Sequence, residues 1–218
     1  MRLLRANFLY LCNAMKSNVR NVIFDLAGVV VARDKVRCPE HLHRFFSFIV
    51  PGEEMPDFWE DYDRGTRTID EVAEALAAYR GCDEEKARSM MLEAITYQEE
   101  VEPTKRLIAD LKAAGYRLYV LSNMSLEYID YLRKKEVYSY FDGEVISSEV
   151  HLCKPEHAIY KLVLERYGLK ASESLFLDDR IENVNAAIEC GIGGMLIDHE
   201  DQQSSCDVLR QLLLSDEQ

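Results

Sequence analysis

From about residue 103 onward the chain alternates short apolar runs with amphipathic helical patterns, and that alternation leaves few folds open. Pro103 suits the first turn of a helix whose inner face is Leu107, Ile108, Leu111 and Ala114, with Gly115 as its stop. A strand is expected over Tyr116–Leu121, a helix from about Ser125, a short strand over Glu144–Ser147, and a helix from Pro155 to Tyr167. A strand over Leu175–Leu177 follows, then a helix stopped at Gly191, a strand over Met195–Ile197 and a last helix near Cys206–Leu214. Alternation of this kind builds a parallel sheet with helices on both faces. Near the start, Val22-Ile23-Phe24 ends on Asp25 and is followed by Leu26-Ala27-Gly28 and Val29-Val30-Val31. An apolar run that stops on a charge reads as a strand buried on both faces, with the charge at its carboxyl end. The expected architecture is a doubly wound α/β core with one insertion.

The insertion lies between about Cys38 and Glu100, where the pattern is helical and no strand is expected. Thr68 and Glu71 form a capping box, and Ile69, Val72, Ala73, Leu76 and Ala77 make one apolar stripe behind it. Other helices are expected over Pro39–Val50, Glu53–Tyr62 and Asp83–Tyr97. The division is therefore a tail at 1–19, a core from 20–33 and 100–218, and an all-helical cap at 34–99. The aromatic group Phe45, Phe46, Phe48, Phe58, Trp59 and Tyr62 reads as cap core, with Tyr62, Asp63 and Arg64 the candidates to face a site. Glu99, Glu100 and Glu102 read as a solvated hinge.

The formal net charge of −13 repels nucleic acid and anionic membrane, so neither is an expected partner. The six cysteines are scattered without a C-x-x-C pair, as reduced thiols of a cytoplasmic protein are. Cys38, His41 and His43 are near in sequence, but i and i+2 positions do not share a helix face. His151, His157 and His199 belong to no motif and read as surface groups. The first fifteen residues mimic a short signal peptide, yet Asn7 and Asn13 interrupt the apolar run, so a loose tail is expected, with Met15 an alternative start. The sequence does not speak to oligomeric state.

In open parallel sheets, ligands bind beyond the carboxyl ends of the strands. Asp25 ends the first strand, Ser122-Asn123 the second, and Asp178-Asp179 a later one, while Lys154 precedes a helix-opening proline. Taken singly these are ordinary: a strand-end aspartate caps a turn, and a lone lysine is solvated. Together they are what phosphoryl transfer needs. A carboxylate attacks phosphorus only where a divalent cation and an ammonium offset the accumulated negative charge. An oxygen-rich site of this kind suits Mg2+.

The blocks VIFDLAGVVV, YVLSN, CKPEHAIY and LFLDDRIEN resemble, in order, the four motifs of haloacid dehalogenase-like hydrolases. The resemblance implies a Mg2+-dependent phosphatase acting on a small phosphorylated metabolite. It makes Asp25 the nucleophile and a metal ligand and gives the carbonyl of Ala27 to the metal. Ser122 and Asn123 would hold the phosphate, and Lys154 would steady its charge. Asp179 would be the second carboxylate on the metal, with Asp178 and Asn183 in support. One departure stands out: most phosphatases of the family carry a second aspartate, as acid and base, where this chain has Ala27. The branch that includes α-D-glucose-1-phosphate phosphatase looks similar around the nucleophile and also lacks it, which points to a sugar phosphate. Two further readings are a haloacid dehalogenase, which attacks carbon with the same aspartate, and a non-catalytic binder of a phosphorylated metabolite.

Overall fold

The computed structural model describes residues 18–34, 36–49 and 54–215. Most of the expected tail, and the expected helix ends at Val50 and Glu53, lie outside the described residues.

Five strands make the central sheet: β1 (Asn21–Phe24), β4 (Arg117–Ser122), β5 (Gly143–Ile146), β6 (Ser174–Asp178) and β7 (Gly193–Leu196). Their order is β5-β4-β1-β6-β7, and every pairing is parallel. Because successive strand side chains point to opposite faces, each strand feeds two cores. Val22, Phe24, Leu118, Val120, Leu175 and Leu177 face α5 (Glu102–Ala113), α6 (Leu126–Leu132) and α10 (Gln202–Leu213). Ile23, Tyr119, Leu121 and Phe176 face α8 (His157–Tyr167) and α9 (Ile181–Glu189). This is the doubly wound α/β sheet expected from the alternation. A short helix, α7 (Ser147–Val150), follows β5 directly.

Between β1 and α5 lies a helical segment with a core of its own: α1 (Glu40–Phe45), α2 (Asp57–Arg64), α3 (Ile69–Arg80) and α4 (Glu84–Ile95). Leu42, Phe46, Phe48, Trp59, Tyr62, Val72, Leu76 and Met91 are buried together there, so the aromatic group does pack as core. The capping box of α3 is formed: Glu71 N donates to Thr68 Oγ1 at 3.3 Å, and Thr68 N donates to Glu71 Oε2 at 2.7 Å. Thr68→Ala removes both an acceptor for an orphan amide and the box, so a loss of about 1 kcal/mol in urea unfolding is expected.

The expectation of no strand in this region is corrected. β2 (Val31–Arg33) and β3 (Gln98–Glu100) form an antiparallel ribbon, Val31 opposite Glu100 and Arg33 opposite Gln98, where the chain leaves and re-enters the core. The hinge is not simply solvated either. Glu100 pairs with Lys105 at 2.7 Å, and Glu99 with Arg37 at 2.9 Å. Polar side chains with ion-pair partners leave a strand no apolar signature. Among the described residues no helix is long and apolar enough to cross a membrane.

Candidate active site

The three central strands end at one level. Phe24 lies opposite Val120 of β4 and Leu177 of β6, so Asp25 emerges beside Leu121 and Asp178. The Asp25 amide still donates to Leu177 O at 2.9 Å, which holds the residue to the sheet edge. Its side chain is buried, and Oδ1 takes two donors: Ser122 Oγ at 2.8 Å and Lys154 Nζ at 2.8 Å. Oδ2 accepts no hydrogen bond from the described residues. One oxygen is thus anchored, while the other carries an open lone pair.

Lys154 bridges Asp25 and Asp178, reaching Asp178 Oδ2 at 2.6 Å, and its side chain is almost wholly buried. A buried ammonium survives because two carboxylates surround it. Its backbone is clamped by Asn123, whose Nδ2 donates to Lys154 O at 2.9 Å and whose Oδ1 accepts from Lys154 N at 2.8 Å. Asp178 is also held by Asn183 Nδ2 (3.0 Å to Oδ1) and the Arg180 amide (2.8 Å to Oδ1). Asn183 is fixed in turn by Tyr160, whose hydroxyl donates to its carbonyl at 2.9 Å. Asp179 lies against Gly28: a Cβ at Gly28 would overlap the Asp179 carboxylate, and φ is +81° there. Only glycine allows that approach.

The charges are in conflict without a further cation. One carboxylate oxygen each from Asp25, Asp178 and Asp179 lies within 4.8 Å of the others. Burial raises Asp25 to about 7, against the pull of Lys154 and with the push of Asp178 and Asp179. Burial, then Asp178, raises Asp179 to about 6. Three hard oxygen donors in this arrangement fit Mg2+, which a carboxylate set of this size holds while keeping several waters.

The sign of the pH dependence follows. Both acids have an ordinary value of 3.8 and a raised folded value, so the folded protein binds more protons between roughly pH 4 and 7. In EDTA, the contribution of these two groups to stability is expected to be full below about pH 4 and to be lost as pH rises through 6 and 7. Added Mg2+ should then raise the melting temperature more at pH 8 than at pH 5, since metal and proton compete for the same oxygens. An equal increment at both pH values would count against these carboxylates as the metal site.

The helical insertion reaches this edge through the end of α2. Ser147 Oγ, just past β5, donates to Asp63 O and accepts from Met124 N at 2.9 Å. Tyr62 Oη donates to Glu127 Oε2 at 2.7 Å, and Arg64 pairs with Glu156 at 2.7 Å. The Asp63 carboxyl is raised to about 8 by burial; Arg180 lowers it, Glu60 and Asp25 raise it, and the Ser125 amide lowers it. Ser147 was expected as the end of a strand but not as a site residue, although a polar group directly after β5 is the signal that marked the others. Tyr128 and Arg33 were missed as well. The Tyr128 hydroxyl and Arg33 Nε are buried without a partner among the described residues, and burial pushes the Tyr128 hydroxyl up, with Arg33 lowering it and Asp63 raising it. Nothing local distinguishes them.

The sequence profile of haloacid dehalogenase-like hydrolases matches residues 19–191. The chain belongs to that family. It is accordingly an enzyme of the hydrolase class. A sesquiterpene phosphatase of Aspergillus oryzae is 25% identical to it over 91% of this chain and 99% of its own. A glyceraldehyde 3-phosphate phosphatase of Methanothermobacter thermautotrophicus is 30% identical over 57% of this chain and 59% of its own. A haloacid dehalogenase-like enzyme of Bacteroides thetaiotaomicron, solved with magnesium and inorganic phosphate, is 23% identical. It superposes with a TM-score of 0.65 over 83% of this chain and 95% of its own.

In this haloacid dehalogenase-like chain the fold brings Asp25, Ser122, Lys154, Asp178, Asp179 and Asn183 into one cluster. Asn123 is next to it with its side chain spent on the Lys154 backbone. Ala27 is exposed at its rim.

Proposed function

We propose that the protein is a Mg2+-dependent phosphatase that releases phosphate from a small phosphorylated metabolite through an aspartyl-phosphate on Asp25. The observation that carries this reading is the divided Asp25 carboxylate. One oxygen is anchored by Ser122 and Lys154, and the other, in a cluster with Asp178 and Asp179, has no donor among the described residues. Asp25, Asp179 and the Ala27 carbonyl would hold the cation, with Asp178 and Asn183 orienting it. When bound, Mg2+ supplies the positive charge that lets an anionic nucleophile approach an anionic phosphate. In the first half-reaction Asp25 Oδ2 forms the bond to phosphorus as the bond to the ester oxygen breaks. Lys154 and the Ser122 hydroxyl bear on the phosphoryl oxygens, and the amides opening α6 donate to another. In the second half-reaction water attacks the acyl phosphate, and the Asp25 carboxylate returns.

The phosphatases among the relatives support the reaction class. The bound magnesium and phosphate of the Bacteroides enzyme support the cation and the product. The helical segment at 34–99 is, in this reading, the cap over the site, and a cytoplasmic setting suits the free thiols. Similarity to the glucose-1-phosphate phosphatase branch makes a sugar phosphate the first substrate class to test, and the sesquiterpene relative makes a prenyl phosphate the second. A haloacid dehalogenase fits less well. Asp178 and Asp179 would repel a carboxylate substrate, and halide release from a 2-haloacid without magnesium would be needed to restore it. The test is a panel of phosphorylated sugars, prenyl phosphates, nucleotides and acyl phosphates with Mg2+. Release of phosphate from at least one class is expected, and silence across all of them overturns the reading.

A further inference from the structure

Resting on the phosphatase reading above, we propose that Asp63, on the helical insertion, is the acid–base residue that the chain lacks at Ala27. Phosphate esters with poor leaving groups need a proton for the departing oxygen, and water attacking the acyl phosphate must lose one. The three carboxyls that the described core residues gather at the strand ends are already engaged. Asp25 is the nucleophile, Asp178 is held by Lys154, Asn183 and the Arg180 amide, and Asp179 lies against Gly28.

Asp63 is delivered to the strand ends by three consecutive contacts. Tyr62 is hydrogen-bonded to Glu127 of α6, and the Asp63 carbonyl accepts from Ser147, which also holds Met124 two residues past Ser122. Arg64 pairs with Glu156, two residues beyond Lys154. The helix can come this close because it ends at Gly65 (φ +74°), where a Cβ would collide with the Ser148 backbone. These three anchors fix the backbone at Asp63 against the strand ends, and its carboxyl lies near enough to Asp25 for the two to interact electrostatically. A value of about 8, raised mainly by burial, keeps the group protonated at neutral pH, as an acid must be.

The protons balance. As Asp25 Oδ2 bonds to phosphorus, the ester P–O bond breaks with its electron pair going to the leaving oxygen, which takes the Asp63 proton. In the second step the Asp63 carboxylate takes a proton from water as that oxygen bonds to phosphorus. The P–O bond to Asp25 then breaks, and Asp63 is again the acid.

The competing role is structural. In it Asp63 serves only to cap the Ser125 amide at the start of α6, where the Ser125 side chain makes no capping bond. The two roles separate on the leaving group. The full chain with Mg2+ is assayed as wild type, Asp63→Asn and Asp63→Glu on p-nitrophenyl phosphate and on glycerol 2-phosphate. Asp63→Asn should lower kcat/KM for the alkyl ester by about 10²- to 10⁴-fold. For the aryl ester, whose phenolate leaves with little protonation, the loss should be at least about tenfold smaller. The fall of kcat/KM at high pH on the alkyl ester should disappear in Asp63→Asn, and Asp63→Glu should recover part of the rate. Equal losses on both esters with the pH profile intact overturn the assignment and leave the phosphatase reading standing. A wild type active on the aryl ester alone also overturns it. A wild type inactive on every phosphate ester removes both.

Discussion

Replacing Asp25 with asparagine will reduce phosphate release from p-nitrophenyl phosphate by at least about 10⁴-fold, the scale on which nucleophile deletions act. The amide has no anionic oxygen to attack phosphorus, so no acyl phosphate forms. Folding should not suffer in proportion. Asp25 is held near 7 by burial and by its acidic neighbours, so at pH 8 the wild type confines an unwelcome charge that the amide does not carry. Lys154 keeps Asp178 as its partner in the variant. The melting temperature in EDTA at pH 8 is therefore expected to hold or rise while activity vanishes. EDTA should silence the wild type to a similar degree, and Mg2+ should restore it. Substantial turnover by Asp25→Asn, or by the wild type in EDTA, would end the aspartyl-phosphate reading.

Lys154→Ala should fail in the opposite way, with stability and activity lost together. The ammonium contacts Asp25 at 2.8 Å and Asp178 at 2.6 Å, and both acids are buried. Removing one member of such a group leaves uncompensated charge, which typically costs about 3–5 kcal/mol. Unfolding in urea at pH 8 should show the full loss. At pH 5 the loss should shrink, because Asp25 then takes a proton instead of needing a partner. Lys154→Arg should not rescue either property, since a planar guanidinium does not fit a dry pocket shaped for a compact ammonium. A loss that is equal at both pH values would mean that packing, not charge, is what Lys154 provides.

The sheet and its strand ends were legible because burial on both faces writes continuous apolar runs, and a polar stop is conspicuous after them. Val22–Phe24 into Asp25 and Leu175–Leu177 into Asp178 are the plainest cases. Strand β7 begins two residues earlier than its apolar part, at Gly193. A Cβ on Gly194 would strike Val184 and Ile188 of α9, so close helix packing selects a residue with no strand preference. The last helix likewise begins at Gln202, capped by Asp201 through the Ser204 amide, in a stretch whose polarity hides it. Lys154, by itself only a lysine before a proline, was legible through the company of the other three motifs, and the fold sets it against Asp178, twenty-four positions away. Asp63 was legible, with Tyr62 and Arg64, as a residue to face the site, but its role there was not. Its meaning depends on where the end of one helix comes to rest, and that is settled by contacts with Ser147, Glu127 and Glu156.

The ribbon of Val31–Arg33 and Gln98–Glu100 bears on how such a chain diversifies. Because its strands are hydrogen-bonded neighbours, the helical segment leaves and returns to the core at points separated only by the usual interstrand spacing of about 4.8 Å. The sheet therefore does not register how long that excursion is or what it contains. Insertions, deletions or wholesale exchange between β2 and β3 leave the alignment of β1 with β4 and β6 untouched. Selectivity can drift on one side of the ribbon while Asp25, Ser122, Lys154 and Asp179 on the other stay in register, so long as the helix end that carries Asp63 keeps its seat on the strand ends.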